Sequence, residues 1–237
     1  MTTPPVPVSV PALAGISSMA TRGLLAALAP ACEASTGVRM TIASVGGVDA
    51  ARRVAAGEAF DLVFLASDAL DKLAAAGHLV AGSRVDLALS GVSVAVPAGS
   101  PHPNLSTEAS VRAAVLAAPS IGYSTGPSGT ALLKRLEAWG LDEVLKGRLI
   151  QAPPGVPVAT MVARGEVSLG FQQLSELIGQ PGIEVVGPLP EPLRIDTVFS
   201  GAIGAACKRP DDARRALNYL AGDATASTKR RHGMQPA

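Results

Sequence analysis

Short apolar runs alternate along the chain with longer stretches in which apolar residues return every three or four positions. RMTIASV, FDLVFLAS, SGVSVAVPAG and SIGYST read as strands, and GGVDAARRVAAGE, DALDKLAAAGHL, STEASVRAAVLAA and SGTALLKRLEAWG as helices. Residues 6–16 read as extended. The helix after them, SSMATRGLLAALAPACEASTG, takes Ser17 or Ser18 as its N-cap and stops at Gly37. DALDKLAAAGHL starts at a Ser-Asp cap. Successive β-loop-α units of this kind favour a parallel sheet with right-handed crossovers, so the expected class is α/β. RLIQAP, PVATMVARGE, VSLGFQ and QLSELIG continue the alternation, GIEVVGPLP and RIDTVFSGAIGAAC are extended, and the last helix, DDARRALNYLAGDATASTKRRHG, breaks near Gly222.

Loops of small residues fall where strands or extended runs end and helices begin: Ser17-Ser18, Ser44 to Val48, Ser67-Asp68, Ser124 to Gly129, Pro153 to Val156 and Gln172-Gln173. In an open α/β sheet, ligands sit beyond the carboxyl ends of the strands, where the N–H groups of helix N-termini favour negative charge. Convergence of these loops would make an anion site without any Arg. The candidate ligand-binding residues are Ser17, Ser18, Gly46, Gly47, Ser67, Ser124, Thr125, Ser128, Gly129, Val156, Gln172 and Gln173. Hydroxyls and amides supply donors, and Gly lets the backbone approach a ligand closely. Any one of these loops is equally explained as an ordinary helix start. Their number carries the expectation.

Composition narrows the class. The chain has 237 residues, 48% of them hydrophobic and 16% charged, enough for a real core and for one or two domains. A net charge of +1, with KRRH near the C-terminus as the basic cluster, sets nucleic acid aside as a partner. Cys32 and Cys207 have neither CxxC spacing nor a nearby His cluster, which argues against zinc; they read as free thiols, a lone disulfide being the alternative. No apolar run reaches membrane-spanning length, so no membrane insertion is expected. The opening MTTPPVPVSVPALAG has no Lys or Arg ahead of an apolar run, and its prolines break the helix a signal peptide needs. As a native start it implies a cytoplasmic protein; a trimmed precursor would be periplasmic.

GxGxxG, Walker A and HExxH signatures are absent, and no cofactor, metal or catalytic residue is assigned. His78 at a helix end, His102 between prolines and His232 in the basic tail read as surface or helix-end charges. Tyr123, Asp68 and Glu176 are the remaining polar candidates near the loops; Tyr123 alternatively packs at a strand end and Asp68 caps a helix.

ISSMATRGLLAALAPACEASTG, VAAGEAFDLVFLASDALDKLAAAGHL, SGVSVAVPAGSP, YSTGPSGTALLKRLEAWG and VPVATMVARGEVSLGFQQLSEL, in that order and spacing, resemble the molybdate-binding branch of the type 2 periplasmic solute-binding proteins. The tail pattern of that family is matched by Gly233, Met234, Pro236 and Ala237. The resemblance covers nearly the whole chain. It implies a two-lobe periplasmic-binding-protein-like (type 2) fold with the ligand cleft between lobes, the first formed by residues 1–88 and 195–237 and the second by residues 89–194.

The departures bear on the ligand. Molybdate binders surround a tetrahedral oxyanion with hydroxyls and backbone N–H groups; Ser17 or Ser18 fits the first such position, but VGGV (residues 45–48) replaces the second serine-rich loop, and Gln173 falls where the family places a tyrosine. A compact dianion needs well-aimed donors to replace its hydration, whereas the adjacent amides of Gln172 and Gln173 suit a carboxylate. The expected function is binding of a small anion, an organic carboxylate ahead of a molybdate-like oxyanion, with an ABC permease as partner if the protein is exported. The alternative is a cytoplasmic enzyme of the same fold performing isomerisation, proton transfer or elimination on a small carboxylate.

Overall fold

The computed structural model describes residues 10–237, so residues 6–9 of the expected first extended run lie outside the described residues. The first half of the chain forms β1 (Leu13–Ser18), α1 (Arg22–Thr36), β2 (Met40–Val45), α2 (Gly47–Ala55), β3 (Leu62–Ala66), α3 (Ser67–Ala75) and the long β4 (Val85–Pro97). The middle forms α4 (Glu108–Ala117), β5 (Ile121–Tyr123), α5 (Pro127–Ala138), β6 (Leu149–Gln151), α6 (Val158–Ala163), β7 (Leu169–Gln173) and α7 (Leu174–Leu177). The chain closes with β8 (Ile183–Pro188), β9 (Asp196–Ile203), α8 (Pro210–Ala221), α9 (Ala226–Arg231) and β10 (Gln235–Pro236).

The strand order is β2-β1-β3-β9-β4-β7-β5-β6, with β8 and β10 also pairing β4. Parallel pairing holds where β-loop-α units repeat, in β2-β1-β3 and in β6-β5-β7. It fails at the middle, where β9 and β4 run antiparallel to their neighbours. The reason is connectivity: β9 returns after the second group of strands is complete, so it enters the first group against the direction of β3. β4 pairs with β9 up to Gly91 and with β7 from Val92, which makes one strand the shared rail of two sheets.

Each sheet carries its own core. β3 is buried at every position, as a central strand covered on both faces must be, and its LVFLA run needs no polar alternation. Each such side chain removed from water stabilises by about 1.5–3 kcal/mol. Phe64 and Leu62 pack with Leu24, Leu25, Leu28 and Leu217 on one face of the first sheet, and Val63 and Leu65 pack with Leu70, Leu73 and Val54 on the other. Val94, Val111, Ile121, Leu132, Leu136 and Phe171 build the main core of the second lobe.

Some local expectations hold and others change. Ser18 rather than Ser17 caps, accepting the Ala20 N–H at 3.1 Å, and the turn it caps is a short 3-10 helix ahead of α1. Ser67-Asp68 is no cap: Ala66 holds that position in α3, while Ser67 Oγ lies 3.0 Å from the Val198 carbonyl and 2.8 Å from Ser200 Oγ. Gly37 ends α1 in the left-handed conformation, with φ 71°. Cys32 is buried, Cys207 partly so, and both are free thiols. The KRRH cluster is not wholly a solvated tail, since Lys229 is buried with Nζ 3.3 Å from the Ala221 carbonyl, and burial pushes its ammonium below the ordinary lysine range. Met234 is fully buried in the first core, and Gln235–Pro236 pair with β4, so the C-terminal pattern anchors the chain end.

Candidate functional site

A cavity of about 900 Å³ opens between the lobes. The short α6 and α7 start at the cavity, at Pro157 and Gln173. Three longer helices start on its walls: α2 at Gly46-Gly47, α3 at Ala66 and α5 at Gly126-Pro127, none with a side-chain cap. Their first-turn N–H groups are therefore left for a ligand or water. Beyond each start the same helix face continues along the cleft with small residues and one cation: Ala51, Arg52 and Ala55 on α2; Ala69 and Lys72 on α3, with Ala76 just past its end; Ala131 and Lys134 on α5. Arg52 pairs with Asp49, and Lys72 sits 4.0 Å from Asp68. Lys134 has no ion-pair partner among the described residues.

Of the residues read from the sequence, Ser18, Gly46, Gly47, Ser124, Thr125, Ser128, Val156, Gln172 and Gln173 line this cavity together. Ser17, Ser67 and Gly129 do not. Ser17 is fully buried and spends its hydroxyl 2.8 Å from Ser44 Oγ, tying β1 to β2. Ser67 faces β9, as described. Gly129 stands behind the wall, where α5 presses so closely on the loop before it that an added Cβ would sit 1.8 Å from the Ser124 carbonyl oxygen. That contact holds the loop in place, and Ser124 Oγ accepts from the Gly126 N–H at 3.3 Å and lies 3.0 Å from Ser128 Oγ.

The floor of the second lobe holds a chain of polar contacts. Gln172 and Gln173 end β7, both nearly inaccessible to solvent. Gln172 Oε1 accepts the Ala159 N–H at 3.0 Å, and its Nε2 donates to Glu176 Oε1 at 2.9 Å. Gln173 Nε2 donates to Thr197 Oγ1 at 2.9 Å, linking β7 to β9 across the two lobes. Burial pushes the Glu176 carboxyl up to about 7, against the lowering pull of the Gln172 hydrogen bond. A carboxyl so placed is divided between its two protonation states near neutrality, the condition for both taking up and returning a proton.

Glu176, Arg52, Lys72, Lys134 and His78 all line the cleft. Sequence reasoning named Glu176 without a role and missed the cations on the helices, whose signal was available: each lies on the helix face that continues from its starting loop. Among the described residues no three His, Cys, Asp or Glu side chains cluster to hold a metal ion, and no helix is long and apolar enough to cross a membrane.

Glu176 also sets a pH dependence of stability. Its folded-state pKa lies above its unfolded value, so the stability it contributes is full below about 4.5 and is lost as pH rises through about 7. Glu176→Gln is therefore expected to melt higher than the wild type at pH 8 and to lose that advantage at pH 4, measured by thermal denaturation across this range. An equal difference at both pH values would remove Glu176 as the cause.

The sequence profile of the bacterial extracellular solute-binding proteins matches residues 13–235. An aconitate isomerase of a Pseudomonas species is 39% identical over 235 residues, 96% of this chain and 88% of that one. The fold is that of the periplasmic molybdate-binding protein of Azotobacter vinelandii, at TM-score 0.77 and 21% identity over 94% of this chain and 98% of that one. It is equally that of the sulfate-binding protein SubI of Mycobacterium tuberculosis H37Rv, at TM-score 0.78 and 19% identity over 95% of this chain and 87% of that one. With the interlobe cleft, the mixed α/β sheets and this coverage together, the chain belongs to the bacterial extracellular solute-binding protein family.

Proposed function

We propose that the cleft isomerises a small unsaturated polycarboxylate of the aconitate type by moving a proton within it, with Glu176 as the proton carrier. The observation that carries this reading is a cleft carboxyl held near neutrality at about 7 beside walls built to receive anions. The identity to an aconitate isomerase supports it. In propene-1,2,3-tricarboxylate the methylene is allylic to the double bond and adjacent to a carboxylate. Glu176 takes one methylene proton; the electron pair left behind spreads over the allyl system and its carboxylates; the Glu176 carboxyl, open to exchange with solvent, then delivers a proton to the former vinylic carbon. The double bond has moved by one position, no atom is gained or lost, and the product is aconitate again with its geometry reset.

The three uncapped helix starts and the cations Arg52, Lys72 and Lys134 would receive the carboxylates and stabilise the charge that develops. The proposed contacts from the loops are those of Ser18, Gly46, Gly47, Ser124, Thr125, Ser128, Val156 and Gln173. Ligand capture without chemistry is the second reading, favoured by the family and by the fold shared with the molybdate- and sulfate-binding proteins. The two separate in one experiment. Purified protein incubated with cis- or trans-aconitate in D2O and followed by proton NMR is expected to interconvert the isomers and to exchange methylene protons for deuterium. A ligand-induced rise in melting temperature with neither change would leave capture as the function.

A further inference from the structure

We infer that Gln172 is a positioning residue for this proton transfer, one that tethers the first oxygen of Glu176 and leaves only the second for the proton that is exchanged with substrate. Its consequence for turnover rests on the isomerase reading above. Gln172 lies at the end of β7, in register with Ser93 of β4, and is 2% exposed. An amide can be turned either way round when its partners are hydroxyls or water, but here both partners are committed. The Ala159 N–H, in the first turn of α6, can only donate, so it takes Gln172 Oε1 at 3.0 Å. The amide nitrogen is then necessarily the end that meets Glu176, and it donates to Oε1 at 2.9 Å. A proton on that same oxygen would point at an N–H donor. It is therefore confined to Oε2, which has no protein partner among the described contacts.

The consequence is directional. A free carboxyl rotates and carries its proton on either oxygen, so only part of its population is aimed at a substrate carbon. The backbone of α6, through Gln172, removes that freedom. Other charges do not substitute for this tether: α7 packs on β4, on β7, on the turn at Met19–Thr21, on Ala159 of α6, on Ile183 and Val185 of β8 and on Gly233, and the ionisable residues of these neighbours are Asp86 of β4, Glu184 of β8 and His232 beside Gly233. Glu184 is held by the Gly99 N–H and His102, and His232 stands against Gly23. Asp86 belongs to the far part of β4, where it accepts from Ser200 Oγ at 2.6 Å. α6 carries none. The remaining charged groups of the cleft, Arg52, Asp68, Lys72, His78 and Lys134, stand on α2, α3, the segment after α3, and α5.

The test uses the whole protein and two readouts, the carboxyl carbon-13 titration of Glu176 without substrate and the pH profile of kcat/KM with aconitate. Gln172→Met removes the tether. It is expected to move the titration upward from about 7 by about one pH unit, to lower kcat at pH 7 by about tenfold, and to change KM little. Gln172→Glu keeps the acceptor for Ala159 and replaces the donor with a second carboxyl. It is expected to titrate with Glu176 in two coupled steps, the upper one above the wild-type value. An unmoved Glu176 titration in a folded Gln172→Met protein overturns the assignment; should that variant not fold, a single unshifted step in Gln172→Glu does the same. If the titration moves as described while the wild type turns over no aconitate, the tether stands and the isomerase reading falls.

Discussion

Glu176→Gln is expected to reduce aconitate turnover by about 10²–10⁴-fold, the usual loss when a positioned acid or base is removed, while leaving substrate binding within a few-fold of wild type. Gln has nearly the shape of a protonated Glu, and its side-chain oxygen can still accept the hydrogen bond that Gln172 donates at 2.9 Å in the parent. The floor of the cleft thus stays in place, and what is lost is the capacity to exchange a proton. Deuterium exchange into the methylene must fall in step with kcat, because both need the same proton removal. In the wild type, the acid limb of kcat/KM is expected to rise with pH through about 7, as Glu176 passes to the carboxylate that accepts the proton. A variant that keeps kcat within a few-fold would place the proton transfer elsewhere in the cleft, with His78 the next candidate on its wall.

Gly129→Ala should be the most damaging single methyl group that can be added to the cleft region. Its Cβ would lie 1.8 Å from the Ser124 carbonyl oxygen and 2.9 Å from the carbonyl carbon, a backbone contact that no rotamer can relieve. Either α5 shifts away from the loop or the loop moves into the cleft, and both disturb the wall formed by Ser124, Thr125 and Gly126. Overpacking of this kind costs about 3 kcal/mol or more, which for a chain of this size is a fall in melting temperature of roughly 6–12 °C. Binding of aconitate should weaken with it. Gly126→Ala is the control on the same loop: its Cβ would meet only Ser124 Oγ at 3.7 Å, and its φ of −83° suits any residue. Melting of Gly129→Ala within about 2 °C of wild type would mean that the close approach is not rigidly held.

Much of the architecture was legible because it is written locally. The apolar run LVFLA can only be a strand buried on both faces, the Gly at position 37 can only serve a helix end, and the repeated order of strand, small-residue loop and helix announces parallel units whose helix starts share one side of a sheet. The gathering of Ser18, Gly46, Gly47, Ser124 to Ser128, Val156, Gln172 and Gln173 in one cleft follows from that order. The roles of individual hydroxyls were not legible. Ser17 and Ser18 are neighbours of identical chemistry, yet alternation along β1 sends one to Ser44 and lets the other cap a turn at the cleft. Ser67 looked like a cap because it precedes an acidic residue, but the neighbouring strand β9 offered its hydroxyl two better-placed partners.

The sequence by itself determined the α/β class, the positions of most strands and helices, and the loops that gather at the cleft. These depend on periodicity, capping and charge, which act over a few residues or over the whole composition. Tertiary structure alone decided that β9 enters between β3 and β4 in the opposite sense, that Lys229 is buried, and that Arg52, Lys72 and Lys134 look into one cavity. It alone decided the state of Glu176. A carboxyl's proton affinity is set by how much water the surrounding elements exclude and by which donor reaches it, here the cleft floor and Gln172, and neither quantity exists until residues distant in the chain have been packed together.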